Sequence, residues 1–302
     1  MAVELSTRYI KDHISFPRHA QLHLLCRLHR PLKAVRKVQR HFIPPPPATA
    51  VPPCQITERF EATQEHFQQH RWAYAEQILD PNFHAALIRS WPPRRYFDEP
   101  PLTMDKSYDI GFRWGLSRPA PLFVDAFPAV QTFTSFLRSE ALAQRVGHYY
   151  GRPMHCYSFL LTHSYPGSSV VPHKDTVFQC DDVPAMINMA FFINGTGGQR
   201  SGGLAILRDN AFLDTIFEPT NLRNSLLLYD SKAPFFHGFR PIQCGKFRWA
   251  IFAQFKGHST VQGSESAYQK DLGALVQGSR FSLDFARDKK APGTVLPLNL
   301  QP

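Results

Sequence analysis

Short apolar runs, separated by glycine, proline, asparagine and aspartate, fill the chain from about residue 155 to residue 256. The runs of strand length are Cys156–Thr162, Ser169–Val171, Met186–Ile193, Leu204–Leu207, Ser225–Tyr229 and Phe247–Phe255. Regularly spaced short strands with turn residues between them are typical of a β-sandwich or a β-barrel. The pattern therefore predicts a β-rich core in this part of the chain.

The region before this core predicts helices. A strand is expected over Trp72–Leu79, and Asp80 and Pro81 then supply an N-cap and a proline at the first helical position. We expect this helix to stop before Pro92. Helices followed by strands predict an α+β fold in which the helices cover one face of the sheet.

A second helical region is predicted over residues 123–149 from apolar positions three to four apart. Pro128 is expected to break it, and Gly151 is expected to end it. Residues 96–118, between the two helical regions, are rich in loop-forming residues and contain short strand candidates.

The first 43 residues carry most of the positive charge. They hold nine Lys and Arg against Glu4 and Asp12, so they contribute +7 of the net +10. Apolar residues recur every three to four positions between Leu22 and Val38, which predicts an amphipathic helix that Pro31 would kink or split. Two interpretations stay open: contact with an anionic surface, such as a membrane or a nucleic acid, or a helical hairpin packed on the main domain.

Six prolines between Ile43 and Cys54 predict a semi-rigid linker. The expected organisation is therefore a basic amphipathic extension over 1–43, a Pro-rich linker over 44–57, a globular domain over 58–262 with its core at 155–256, and a C-terminal extension over 263–302.

Composition indicates a globular protein, since 43% of the residues are hydrophobic and 13% are aromatic. No apolar run approaches the roughly 18 residues that span a bilayer, and the first residues lack the layout of a secretory signal. The five cysteines contain no CxxC pair, which argues against a zinc ribbon or a thioredoxin motif. We expect a cytoplasmic protein with free thiols, peripheral to a membrane if the basic extension binds lipid.

The residues that carry chemistry lie in two stretches, 165–175 and 235–252. His173 and Asp175 are two residues apart, so on an extended strand both side chains lie on one face and can reach one metal ion. A third ligand must come from elsewhere, and His237 is the first choice. Two imidazoles and one carboxylate leave open positions on Fe(II), whereas structural zinc is closed by four protein ligands. Three other histidines stay open as ligands: His155, His163 and His258.

Arg248 follows His237 by eleven residues. A turn around Gly245 would return the chain along a neighbouring strand and place the guanidinium deeper in the barrel. The planar fork of arginine suits bidentate pairing with a carboxylate. A dicarboxylate co-substrate could then chelate the metal through its keto-acid end while Arg248 holds the other end.

With these residues in this order, the chain resembles the 2-oxoglutarate/Fe(II)-dependent dioxygenases, and within them the prolyl-hydroxylase-like branch. The matching segments are YPG at 165–167, HKD at 173–175, NMAFFIN at 188–194, SGGLAIL at 201–207 and GKFRWAIFAQF at 245–255. The resemblance covers residues 155 to 256 and extends more weakly back to about residue 72.

The resemblance implies a double-stranded β-helix, or jelly roll, buttressed by helices on one face. It implies that His173, Asp175 and His237 hold Fe(II), and that Arg248 binds the C5 carboxylate of 2-oxoglutarate, with O₂ as the oxidant. Tyr165 is implied as a further contact of the co-substrate.

One position departs from the family. Many relatives have a serine two residues after the arginine, where this chain has Ala250. A hydroxyl from elsewhere would have to replace that contact, and Tyr157 and Thr162 are the candidates.

The implied activity is hydroxylation of an unidentified substrate: peptidyl proline, an amino acid, or another metabolite such as a sugar-lipid intermediate. Residues 95–118, 177–186 and 195–203 are the loops expected to select it. The nucleic-acid demethylases of the superfamily usually carry two spaced arginines after the distal histidine, but Arg240 and Arg248 are spaced differently. Two alternatives remain: a catalytically silent jelly-roll protein that binds or scaffolds, and a cupin-like metal isomerase that does not depend on 2-oxoglutarate.

Overall fold

The structure is a computed structural model that describes residues 50–97, 106–107, 109–114, 126–174 and 186–257, together with residues 35, 38, 39 and 42. Between residues 50 and 257, the described α-helices are α1 (Gln64–His70), α2 (Pro81–Arg89), α3 (Pro128–Leu137) and α4 (Glu140–Tyr150). The strands are β1 (Trp72–Glu76), β2 (Lys106–Ser107), β3 (Asp109–Trp114), β4 (Met154–Ser164), β5 (Ser169–His173), β6 (Met186–Gly195), β7 (Ala205–Leu207), β8 (Thr215–Phe217), β9 (Ser225–Asp230), β10 (Phe236–Phe239) and β11 (Arg248–Gly257).

The strands form two antiparallel sheets. The larger sheet has the order β1-β9-β6-β11-β4-β3, and the smaller sheet has the order β2-β5-β10-β7-β8. From β4 to β11 the chain alternates between the sheets, with β4, β6, β9 and β11 in the larger sheet and the strands between them in the smaller one. This alternation is the connectivity of a double-stranded β-helix, so the predicted α+β jelly-roll fold is confirmed.

The larger sheet is buried on both faces. On β6, Phe191 and Ile193 pack with the helices, whereas Ala190 and Phe192 pack between the two sheets. Because side chains alternate along a strand, a strand covered on both sides needs apolar residues at consecutive positions. This double burial explains why the segment around β6 is a continuous apolar run.

The helices cover the outer face of the larger sheet, as predicted. Phe133 of α3 connects the two layers, because its ring lies 6.1 Å from the ring of Phe83 in α2 and 5.2 Å from that of Phe191 in β6. All three phenylalanines are fully buried. Burial of an aromatic side chain of this kind contributes about 1.5–3 kcal/mol, so this cluster fixes the helices on the sheet.

The ends of α2 agree with the prediction. The Asp80 carboxylate accepts hydrogen bonds from the backbone N–H groups of Asn82 (2.9 Å) and Phe83 (3.0 Å), and Pro81 occupies the first turn. The helix ends at Arg89, before the two prolines at 92 and 93. The N-cap and the proline therefore fix the start of this helix through local chemistry alone.

The predicted break around Pro128 is confirmed, because Ala126 lies in a 3₁₀ turn and Phe127, with a φ of −130° and a ψ of 79°, leaves the helical conformation. Pro128 begins α3, because its missing N–H and fixed φ are tolerated at the first helical position. A second break, which was not predicted, lies about ten residues later, where Ser139 adopts an extended conformation and its hydroxyl accepts from the N–H of Leu142 at 3.2 Å. The predicted end at Gly151 is confirmed, since this glycine has a φ of 61°.

Most of the two predicted extensions lies outside the described residues. Four positions of the N-terminal extension are helical and exposed, among them Val35, Val38 and Phe42. Ile56, in the last part of the predicted linker, packs in the core and forms a bridge with Leu79. The domain boundaries and the anionic partner of residues 1–43 stay predictions. No helix in the described ranges is long and apolar enough to cross a membrane.

His84 couples the packing of α2 to pH. Its Nε2–H donates to the carbonyl oxygen of Ile193 at 2.7 Å. Burial lowers the pKa of His84, and the positive charge of Arg223 lowers it further. As the pH falls below about 6.5, His84 therefore binds a proton in the unfolded chain before it does so in the folded chain. The free energy of unfolding decreases as a result.

We expect the midpoint of thermal unfolding to fall between pH 7.5 and pH 5.5, and to fall less in a His84→Gln variant, which keeps an N–H donor but does not titrate. The exposed histidine of α4, changed in His148→Gln, is the control and should leave the decline as it is in the parent protein. Equal declines in the parent and in His84→Gln would contradict the assignment of this pH dependence to His84.

Candidate active site

A cavity of about 160 Å³ lies between the two sheets. His173 and His237 come to it from the smaller sheet, and Arg248 comes from the larger one. Apolar side chains such as Phe239 line much of the rest, and four neutral polar side chains complete the described lining. Three of the five site residues predicted from the sequence therefore line one cavity.

The two histidines face each other across neighbouring strands. His173, the last residue of β5, is paired in register with His237 of β10, and the centroids of their rings are 4.3 Å apart. His237 is buried, and its ring also lies 4.7 Å from that of Tyr229. Two imidazoles at this separation at the edge of a cavity are arranged as two ligands of one ion would be.

Gly238 explains why β10 can approach β5 so closely. A Cβ atom at this position would lie 2.7 Å from the carbonyl oxygen of Val170 and 2.9 Å from the nitrogen of Pro172, so any side chain would push the strands apart. The pairing of the strands also shifts in register between His237 and Phe239. The glycine next to His237 thus sets the close contact that brings the two histidines together.

Asp175, the third predicted metal ligand, lies outside the described residues. In the part of the chain that the structure describes, no group of three His, Cys, Asp or Glu residues converges. The two imidazoles fit a first-row divalent ion such as Fe(II), and a carboxylate two residues beyond His173 would supply the third ligand of such a site. The complete ligand set therefore stays a prediction, of which two members lie together.

Arg248 is fully buried and firmly held. Its Nη2 donates to the hydroxyl of Ser164 at 3.0 Å, and its Nη1 donates to the carbonyl oxygen of Gly202. The centre of its guanidinium lies 4.2 Å from the ring centroid of Phe239 and 5.3 Å from that of Phe252. These contacts fix the plane of the guanidinium, which is the requirement for directed pairing with a carboxylate.

Gly202 makes the contact with Arg248 possible. Its φ of 95° is unfavourable for residues with a side chain, and a Cβ atom would lie 2.7 Å from the Cδ1 of Ile242. The first glycine of the pair that precedes β7 therefore brings a carbonyl oxygen to the guanidinium, which a residue with a side chain could not do in this conformation.

Ser164 supplies the hydroxyl that contacts Arg248, for which Thr162 and Tyr157 are the candidates expected from the sequence. Thr162, one of the two expected substitutes for the serine absent at Ala250, is buried, and its hydroxyl donates to the carbonyl oxygen of Ala250 at 3.2 Å. Tyr157, the other substitute, lies with its ring 4.7 Å from the Nζ of Lys256. Ser164 is paired in register with Arg248 across β4 and β11, a relation that sequence spacing does not reveal.

Tyr165 lies away from the cavity that His173, His237 and Arg248 line. It follows β4 directly, and the guanidinium of Arg94 stacks on its ring at 4.1 Å. It is not among the described residues that line the cavity. Its role as a contact of the co-substrate stays a prediction.

The alternative histidines are also placed. His163 lies on β4, where its Nε2 accepts from the indole N–H of Trp249 at 3.0 Å and its ring meets that of Phe97. His155 pairs in register with Lys256 near the other end of β4. Neither histidine is in the described lining of the cavity, and His258 lies outside the described residues. His237 is therefore the histidine that the structure places beside His173.

Sequence reasoning missed four polar residues of the lining: Ser158, Asn188, Tyr229 and Gln254. Each interrupts or ends an apolar run on a different strand of the larger sheet. Polar residues within otherwise apolar strands are the signal that could have found them, since a buried polar side chain needs a partner.

The sequence matches no family model and no curated protein. Solved structures do resemble the fold. A prolyl-4-hydroxylase from Pseudomonas putida is 14% identical, with a TM-score of 0.47, over 66% of this chain and 100% of that one. A prolyl hydroxylase from Trichoplax adhaerens, in complex with a peptide fragment of hypoxia inducible factor, is 13% identical, with a TM-score of 0.48, over 72% and 91%. A 2OG-Fe(II) oxygenase family protein from Burkholderia pseudomallei is 14% identical, with a TM-score of 0.44, over 70% and 97%.

Proposed function

We propose that this protein is an Fe(II)- and 2-oxoglutarate-dependent dioxygenase that hydroxylates a peptide or a small molecule. The observation that carries the proposal is the direct pairing of His173 with His237 at a cavity that Arg248 also lines. A metal-binding pair and a buried, oriented cation in one cavity are what binding of a chelating dicarboxylate requires.

In this proposal His173, Asp175 and His237 hold the metal. The chemistry supplied by Fe(II) when bound is the coupled oxidation of 2-oxoglutarate and substrate by O₂, which gives succinate, CO₂ and a hydroxylated product. The protein contributes ligand geometry. The pairing of β5 with β10 fixes the two imidazoles relative to each other before any ion binds, because the two residues are direct partners across the strands and His237 is buried.

Arg248 binds the C5 carboxylate of 2-oxoglutarate. The contacts with Ser164 and Gly202 orient the guanidinium, so little rotational freedom is lost when the carboxylate arrives. The attraction is strong because the surroundings of the guanidinium are apolar: the rings of Phe192, Phe239 and Phe252 lie 4.2 to 5.9 Å from it. The same rings exclude water from the co-substrate.

The proposal is tested with the purified full-length chain by measuring succinate formation in the presence of Fe(II), 2-oxoglutarate, O₂ and a panel of peptides, amino acids and cell extracts. We expect turnover to be lost after treatment with a chelator and to return with Fe(II) but not with Zn(II), because zinc has no redox chemistry.

A measurement of bound iron must be controlled for a second pair of neighbouring histidines on the surface. His66 and His70 on α1 are exposed, and their rings are 4.4 Å apart, so metal could bind at the surface. Iron should therefore be counted in a His66→Ala background, where we expect one ion per chain. A folded chain that binds no iron and turns over no 2-oxoglutarate would favour the alternative, a catalytically silent jelly-roll protein.

A further inference from the structure

Four neutral polar side chains form a row across the larger sheet. Gln254 of β11 is paired in register with Ser158 of β4 on one side and with Asn188 of β6 on the other, and Asn188 is paired with Tyr229 of β9. We call these four residues the polar row. All four line the cavity that His173 and His237 enter from the opposite sheet.

On the side towards Arg248, the next cross-strand positions along the sheet are apolar: Leu160, Phe252, Ala190 and Leu227. On the other side β11 continues to Lys256, which is buried and lies outside the described lining of the cavity. Arg248 lies six residues before Gln254 on β11, roughly 20 Å along the strand. The cavity therefore combines a cation at one end with uncharged hydrogen-bonding groups at the other.

We infer that the polar row recognises the primary substrate, and that the group it binds is neutral and both donates and accepts hydrogen bonds, as a secondary amide of a peptide does. This inference rests on the proposed function, since it assigns the substrate side of the same cavity.

The chemistry of the polar row supports a neutral ligand. Two carboxamides and two hydroxyls provide donors as well as acceptors, which complements the N–H and C=O of an amide. Gln254 accepts from the Ser158 hydroxyl through Oε1 at 2.6 Å, which leaves its amide nitrogen as a donor. Apart from Tyr229, the described lining contains three cationic or titratable side chains, those of Arg248, His173 and His237. A charged substrate group at the polar row would lose its hydration without meeting an opposite charge among the four side chains of the row.

Part of the polar row is already ordered. The Asn188 amide nitrogen donates to the hydroxyl of Ser231 at 2.9 Å, and the Ser158–Gln254 hydrogen bond fixes the neighbouring pair. Side chains that are held in place before binding lose little freedom when a ligand arrives. The polar row therefore has the properties of a specific binding surface as well as the composition of one.

The test measures binding and turnover of N-acetylated dipeptide amides and of the matching free acids, which differ only in the charge of the terminal group. The wild-type chain should bind the amide at least tenfold more tightly than the acid, since an unpaired charge at the polar row is unfavourable. Gln254→Leu and Asn188→Leu should each weaken amide binding roughly tenfold. They should change the KM for 2-oxoglutarate by a smaller factor than the affinity for the amide.

Two further variants keep the inference open to disproof if a leucine disturbs the sheet. Gln254→Lys should reverse the preference towards the free acid, because it places a cation in the polar row. Gln144→Leu, at an exposed position of α4, makes the same change from amide to aliphatic side chain away from the cavity and should leave both affinities unchanged.

Three results would overturn the inference: tighter binding of the acid by the wild-type chain, failure of every capped peptide to bind, or variants that weaken 2-oxoglutarate more than the amide. The last result would assign the polar row to the co-substrate. Iron-dependent decarboxylation of 2-oxoglutarate, measured separately, reports the proposed function. Decarboxylation without a preference for amides would overturn only the inference, and a preference without decarboxylation would overturn the proposed function.

Discussion

A His237→Ala variant should lose iron binding and, with it, the turnover of 2-oxoglutarate. His237 is one of two described imidazoles that meet at the cavity, and its removal would leave His173 without a second nitrogen ligand on the neighbouring strand. Loss of a residue that only supports a metal ligand costs roughly 10- to 100-fold in affinity or activity. Loss of a ligand should cost more, so we expect turnover to fall by at least about a thousandfold.

The measurement is iron content by atomic absorption together with succinate formation, in the His66→Ala background that removes the exposed histidine pair. His163→Ala is the matched control, because His163 lies on β4, outside the described lining of the cavity, and binds Trp249. We expect this control to keep its iron. If His237→Ala kept iron and turnover while His163→Ala lost them, the metal site would have to be rebuilt around a different histidine.

The sequence was sufficient for the parts of this architecture that depend on local pattern. Alternating turn residues and apolar runs predicted the strands of the jelly roll, and Asp80 with Pro81 predicted the start of α2 to the residue. Such features are encoded within a few neighbouring positions. The break between α3 and α4 was not predicted, because a serine such as Ser139 can cap a helix or lie inside one, and only packing decides between the two.

Register explains what the sequence could not provide. Ser164 lies 84 residues before Arg248, yet the two are direct partners across β4 and β11. Asn188, Gln254 and Ser158 form one row for the same reason, and the order of the strands in the sheet is not readable from their order in the chain. The site motifs could be found by their spacing, whereas the residues that support or complete them come from pairing between distant strands.

An Arg248→Met variant should raise the KM for 2-oxoglutarate about a hundredfold. Truncation of one partner of a buried, hydrogen-bonded charge pair costs about 2–5 kcal/mol, and tenfold corresponds to about 1.4 kcal/mol. The kcat should fall less, because the metal ligands remain. Arg248→Lys keeps the charge but loses the planar fork that binds Ser164 and Gly202, so its KM should lie between those of the parent and the methionine variant.

The control for these variants is Arg240→Lys. Arg240 also binds a carboxylate, that of Glu218 at 2.8 Å, but it lies outside the described lining of the cavity, so its replacement should not change the KM. Since Arg248 is fully buried, each variant needs a thermal unfolding curve to show that it is folded. Oxaloacetate, one methylene shorter than 2-oxoglutarate, should fail to support turnover, because Arg248 is fixed by its neighbours and cannot follow a shorter ligand. An unchanged KM in folded Arg248→Met would show that the C5 carboxylate binds elsewhere.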